Sequence, residues 1–133
     1  MGGVYKTNLK LSNNEAKDTP YLSLKRQFLR FGFSLTTVDL NHDGIDDLVV
    51  SAPAEGPGGP TEIKDYYPKS YYGSVYVYLG KKDVGILENA EPDYIIRDSS
   101  NKNRYLNLGF KLRSGKCNKD NFEDLIILSP FSE

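Results

Sequence analysis

The sequence predicts an all-β fold, and three observations predict it. Apolar and polar residues alternate in short runs bounded by turn formers, no long stretch carries a helical period, and Tyr and Phe, ten and six in number, favour strands. Taken in order, the runs place strands at Val4 to Leu9, Phe31 to Leu40, Asp47 to Ala52, Ser74 to Leu79, Tyr94 to Arg97, Leu108 to Arg113 and Asp124 to Leu128. Asn13 to Lys17 and Ser99 to Asn103 read as exposed connectors. Between the third and fourth strands lies a long segment, Gly56 to Tyr72, whose Gly and Pro residues preclude a regular ladder. Its tyrosines suit either a partner surface or the covering of a neighbouring strand edge.

An internal repeat orders these strands. Phe31-Gly32-Phe33-Ser34-Leu35 aligns with Leu108-Gly109-Phe110-Lys111-Leu112, and Asp47-Leu48-Val49-Val50-Ser51-Ala52-Pro53 with Asp124-Leu125-Ile126-Ile127-Leu128-Ser129-Pro130. Both alignments keep one offset, 77 residues, from 31 to 108 and from 47 to 124. Gly2-Gly3-Val4-Tyr5 aligns with Gly73-Ser74-Val75-Tyr76 at 71 residues, so the chain reads as opening and closing mid-repeat, with Met1 the start of a fragment.

Composition narrows the chemistry. The 133 residues suit one small domain, and 18 acidic against 17 basic residues leave a net charge of −1, which gives nucleic acid or anionic lipid no field to follow. No apolar run approaches the roughly 18 residues of a membrane span, and no apolar signal segment opens the chain. A single His and a single Cys cannot assemble a zinc site, and Cys117 has no internal disulfide partner; it reads as a small buried or half-buried residue. No nucleophile and base stand in a recognisable catalytic setting, so no catalytic residue is assigned.

The sharpest local signal is Asp39-Leu40-Asn41-His42-Asp43-Gly44-Ile45-Asp46-Asp47. Oxygen side chains occupy loop positions 1, 3, 5 and 9, and a glycine at position 6 permits the tight turn, a spacing that can wrap a hard cation. Ca²⁺ is the expected ion, with Asp39, Asn41, Asp43 and Asp47 as side-chain ligands and the carbonyl of Ile45 as the backbone ligand. Position 12 is Val50 rather than a bidentate Glu, and strands flank the loop, so it is not an EF-hand. Asp43-Gly44 between alternating strands is also a hairpin signal without any metal; the two readings are compatible. Clustered carboxylates in one turn repel without a counter-charge, which favours the ion. His42 should face solvent and is given no role. In the second repeat Lys116 stands opposite Asp39, and its ammonium is expected to replace the ion by pairing with Asp120 and Asp124, the alternative being that Lys116 points to solvent.

These residues resemble the FG-GAP repeat family. The first repeat keeps Phe31-Gly32 and Ala52-Pro53, with Ser51 where Gly is usual; the second has Leu108-Gly109 and Ser129-Pro130. The resemblance implies a partial β-propeller, about one complete four-stranded blade plus parts of two neighbours: residues 1–30 the end of a preceding blade and connector, 31–107 a complete blade with calcium loop and insertion, and 108–133 the start of a degenerate blade. Within the family, Tyr72-Gly73-Ser74-Val75-Tyr76-Val77-Tyr78-Leu79-Gly80-Lys81 is similar to the non-catalytic C-terminal region of glycosylphosphatidylinositol-specific phospholipases D. That likeness implies a secreted glycoprotein in which the propeller scaffolds a hydrolase domain, itself carrying zinc, that cleaves GPI anchors. The implied partners are the remaining blades and that catalytic domain, with a protein or glycan ligand open. The alternative is an integrin α-like adhesion propeller that binds a protein ligand. An incomplete ring should expose sheet edges and fold poorly or self-associate alone.

Overall fold

In the computed structural model the described residues are 2–5, 20–24, 30–56, 71–98 and 106–131. They form eight strands and no helix: β1 (Gly3–Val4), β2 (Leu22–Ser23), β3 (Leu35–Val38), β4 (Asp47–Ala52), β5 (Ser74–Tyr78), β6 (Tyr94–Arg97), β7 (Lys111–Gly115) and β8 (Asp124–Leu128). Every pairing is antiparallel, in a central sheet ordered β3-β4-β5-β6 and two flanking pairs, β1-β2 and β7-β8. This is the all-β architecture that the strand pattern predicts, and it is consistent with the partial propeller that the family resemblance implies.

The central sheet is packed on both faces, and its sequence shows why. Along β4 and β5, Val50, Ala52, Tyr76 and Tyr78 gather with Phe31 and Leu22, while Val49, Val75 and Val77 gather with Val38 and Leu112. Alternate side chains therefore enter two different cores, one shared with β1-β2 and one with β7-β8. Phe31 sets its ring edge-on to Tyr76, 5.6 Å between centroids. Each such fully buried side chain contributes about 1.5–3 kcal/mol. β6, by contrast, is exposed at all four residues and forms an edge.

Three strands differ from the sequence expectation. Phe31 to Leu40 was expected to be one strand, yet only Leu35–Val38 pairs. Phe31-Gly32 is instead a tight turn, closed by Phe33 N–H donating to Arg30 O at 3.0 Å, with Gly32 at φ +86°. Phe110 N–H closes the same turn on Asn107 O at 3.0 Å around Gly109 at φ +85°, which moves the following strand to Lys111–Gly115. A turn with φ > 0 at its third residue takes glycine, and that geometry ends the ladder. β2 had no foreseeable pattern, being two residues long. The first strand is described only as far as Val4, and the expected residues beyond Tyr5, both connectors and most of the Gly56 to Tyr72 segment lie outside the described residues.

The repeats meet backbone to backbone. A Cβ on Gly73, at φ +80°, would lie 2.4 Å from the Leu108 carbonyl oxygen, and one on Gly2 would lie 2.1 Å from that of Phe31. Gly2 aligns with Gly73 and Phe31 with Leu108, so the same close approach occurs twice. Leu108 N–H donates to Tyr72 O at 2.9 Å and Leu112 N–H to Ser34 Oγ at 2.9 Å, tying β7 to the central sheet at both levels.

Candidate metal-binding loop

Asp47 opens β4 and is fully buried. Its Oδ2 accepts the Leu40 N–H and its Oδ1 the Gly80 N–H, each at 2.9 Å, so one carboxylate joins both ends of the loop to the end of β5. Gly80 is needed there because a Cβ would meet the Asp46 carbonyl oxygen at 2.4 Å. Above this base the loop folds onto its own acids. Asp39 accepts from Asp43 N–H (3.1 Å) and Gly44 N–H (2.8 Å), Asn41 Oδ1 from Asp43 N–H (3.1 Å), and Asp43 Oδ1 from Ile45 N–H (2.9 Å). Asn41 Nδ2 donates to Asp43 Oδ2 at 3.0 Å. These bonds bend the chain tightly enough to set His42 at φ 60° and Gly44 at φ 83°.

Asp39, Asn41 and Asp43 thus share one turn, and Asp47 closes its base from the start of β4. Asp39 is half-buried and Asn41 and Asp43 are exposed, whereas Asp47 is sealed beneath them. Among the described residues, no three His, Cys, Asp or Glu side chains are gathered closely enough to hold a metal ion. The donors suit calcium in kind: all are hard oxygens, and a carboxylate oxygen that accepts one N–H keeps a second lone pair for a cation.

The second loop repeats the scaffold without its first acid. Cys117 N–H donates to Asp124 Oδ2 (2.8 Å), Asp120 N–H to Asn118 Oδ1 (2.9 Å) and Phe122 N–H to Asp120 Oδ1 (2.9 Å). Each matches a bond of the first loop at the 77-residue offset between 47 and 124. The bonds that Asp39 accepts have no counterpart, since an ammonium accepts none. The expected Lys116 pairing is corrected: Lys116 is exposed and makes no ion pair with Asp120 or Asp124 among the described residues. Backbone donors already satisfy those acids. Cys117 is likewise exposed rather than buried, because it sits in this loop and not in a strand. His42 is exposed as expected, but its ring stacks on Phe122 of the second loop, 3.9 Å between centroids.

A second polar cluster was invisible in the sequence. Glu55, fully buried, accepts from Tyr76 Oη at 2.5 Å and from Arg97 Nη2 at 3.1 Å, while Arg97 Nε donates to Ser74 Oγ at 3.1 Å. Gly73 N–H donates to Glu55 O at 3.0 Å. The cluster pins residue 55 to β5 and β6. Burial first, then Glu55, pushes the Tyr76 phenol above its ordinary range; burial, then Glu91, does so for Tyr78. Both stay neutral in the fold beyond the unfolded value of about 10, so their contribution is complete below that pH and is lost as pH rises through the folded values. Urea denaturation between pH 9 and 11 should therefore show falling stability, with a shallower fall for Tyr78→Phe; equal slopes would refute this.

The FG-GAP repeat pattern matches residues 31–78, which run from the Phe-Gly turn through the loop to the end of β5. Residues 31–78 are an FG-GAP repeat. Over 103 residues, 77% of this chain, it is 41% identical to phosphatidylinositol-glycan-specific phospholipase D of Rattus norvegicus and 39% identical to that of Homo sapiens, covering 11% of each. It is 32% identical over 103 residues to integrin alpha-PS5 of Drosophila melanogaster, covering 9% of it. The chain therefore spans about a tenth of the length of these relatives. No helix among the described residues is long and apolar enough to cross a membrane.

Proposed function

We propose that this FG-GAP segment is a non-catalytic, calcium-binding scaffold in an extracellular phospholipase D-like protein that cleaves GPI anchors. The observation that carries the reading is the 39–47 loop, in which Asp39, Asn41 and Asp43 present hard oxygens from one turn held by their own backbone bonds. Asp39, Asn41, Asp43, the Ile45 carbonyl and Asp47 would hold Ca²⁺, whose charge offsets the acids and stiffens the turn. The chain's own part is structural: it fixes the bend, closes its base through Asp47, and docks the next repeat on the central sheet. Its partners would be further blades and the hydrolase domain. The higher identity to the phospholipases, 39–41% against 32%, favours this over an integrin-like adhesion propeller. Sequencing the parent gene separates the two: a His-rich zinc domain upstream would support the hydrolase, and a membrane span downstream would support the receptor.

Calcium titration with thermal melting tests the ion. At affinities on the order of 10⁻⁴ to 10⁻³ M, typical of extracellular sites, a tenfold excess over Kd stabilises by about 1.4 kcal/mol. Millimolar Ca²⁺ should raise the Tm of the wild type by roughly 5 °C and leave Asp43→Ala unchanged. A wild-type Tm indifferent to Ca²⁺ refutes the reading.

A further inference from the structure

We infer that Phe122, in the second repeat, is a positioning residue for the cation loop of the first, acting through His42, so that ion binding and docking of the β7-β8 pair are coupled. The inference rests on the calcium reading above and goes beyond it.

The contact joins two loops that are distant in sequence. His42 lies between the oxygen donors Asn41 and Asp43, and its ring packs on Phe122 at 3.9 Å between centroids, tilted by 34°. His42 holds φ 60°, a left-handed conformation that side chains seldom adopt, although His tolerates it better than most. That conformation directs the Asp43 and Gly44 N–H groups back onto Asp39, the bonds that shape the turn. A ring fixed from outside favours this conformer over others open to an exposed loop.

Phe122 is well placed to do so. It aligns with Ile45, and its N–H is held at 2.9 Å by Asp120 in a loop that repeats the backbone bonding of the first. The second loop lacks the first acid yet keeps its shape, so it serves as a preformed platform. β7, which leads into it, is seated on β3 through Leu112 and through the bond to Ser34. Pre-shaping a binding turn raises affinity by removing the ordering cost. Coupling of this kind is reciprocal, so the ion must also steady the platform.

Calcium binding to the full chain should be measured by calorimetry for wild type, Phe122→Leu, Phe122→Tyr and Phe33→Ala. Phe122→Leu keeps apolar bulk but removes the aromatic face, and should weaken Ca²⁺ binding by about 2- to 10-fold, the range of an aromatic pair. Phe122→Tyr should restore it. Phe33, stacked on Phe110 at the other end of β3, should have no effect when truncated. Calcium should slow hydrogen exchange at the Phe122 amide in wild type and less in Phe122→Leu. In metal-free protein, the ring-current shift of the His42 protons should vanish in Phe122→Leu. If wild type and Phe122→Leu bind Ca²⁺ equally, the coupling is wrong and the calcium site stands. If wild type binds no Ca²⁺, both fall.

Discussion

Gly73→Ala is expected to destabilise the chain by about 2–5 kcal/mol, the largest effect of any single methyl group here. Two costs combine. Gly73 holds φ +80°, where an L side chain costs about 1–2 kcal/mol, and the added Cβ would sit 2.4 Å from Leu108 O and 2.5 Å from Leu108 N. Those atoms are backbone, so no rotamer change relieves the clash; overpacking of this kind costs about 1–3 kcal/mol more. The strain must separate the central sheet from the second repeat. Gly44→Ala gives the comparison, because it shares the left-handed backbone, φ +83°, but has nothing within 4 Å. In calcium-free denaturant titration it should lose only the about 1–2 kcal/mol of backbone strain. Gly115→Ala, with open space and no such φ, should be near neutral. Equal losses at Gly73 and Gly44 would mean that the close approach carries no energy.

This contact also explains what could be read from the sequence. Gly2 and Gly73 align, as do Phe31 and Leu108, and the structure brings Gly2 onto Phe31 and Gly73 onto Leu108. The repeat thus encoded docking as well as strands. β4 and β8 were legible to the residue because each is a strong apolar run that begins with an acid. The alternation in β4 and β5 was legible too, but its meaning was not. It separates two cores rather than core from solvent, which only the flanking sheets reveal. The Phe-Gly turn reads as strand because its apolar residues continue the strand pattern, and Gly32 still donates its N–H to Ser51 O of β4 at 3.0 Å although the turn ends the regular ladder. Glu55 carried no signal, being one acid among glycines and prolines; burial arises from Tyr76 and Arg97, which come from two later strands. His42 had no visible partner, since Phe122 is remote in sequence.

Asp47 was read as one calcium ligand among several, and its geometry leads to a different expectation. Asp47→Ala should cost about 3–5 kcal/mol with no calcium present, whereas Asp43→Ala under the same conditions should cost about 1 kcal/mol or less. The wild-type Asp47 carboxylate is fully buried and accepts two backbone N–H groups, Leu40 and Gly80, each at 2.9 Å. Hydrogen bonds to a charged acceptor contribute about 1.5–3 kcal/mol each, and removing the acceptor strands two donors at the base of the loop. Asp43 is exposed, so water replaces its carboxylate for the Ile45 N–H. Asp124 occupies the matching place in the second repeat but is half-buried, with Cys117 as its backbone donor at 2.8 Å, so Asp124→Ala should fall between the two. Urea denaturation in chelator orders the three. If Asp47→Ala and Asp43→Ala lose equal stability, the base of the loop contributes nothing of its own and Asp47 reverts to a ligand alone. If the order holds, the turn is built before any ion arrives, and Asp47 closes the base of the loop in addition to any share it takes in a cation with Asp39, Asn41, Asp43 and the Ile45 carbonyl.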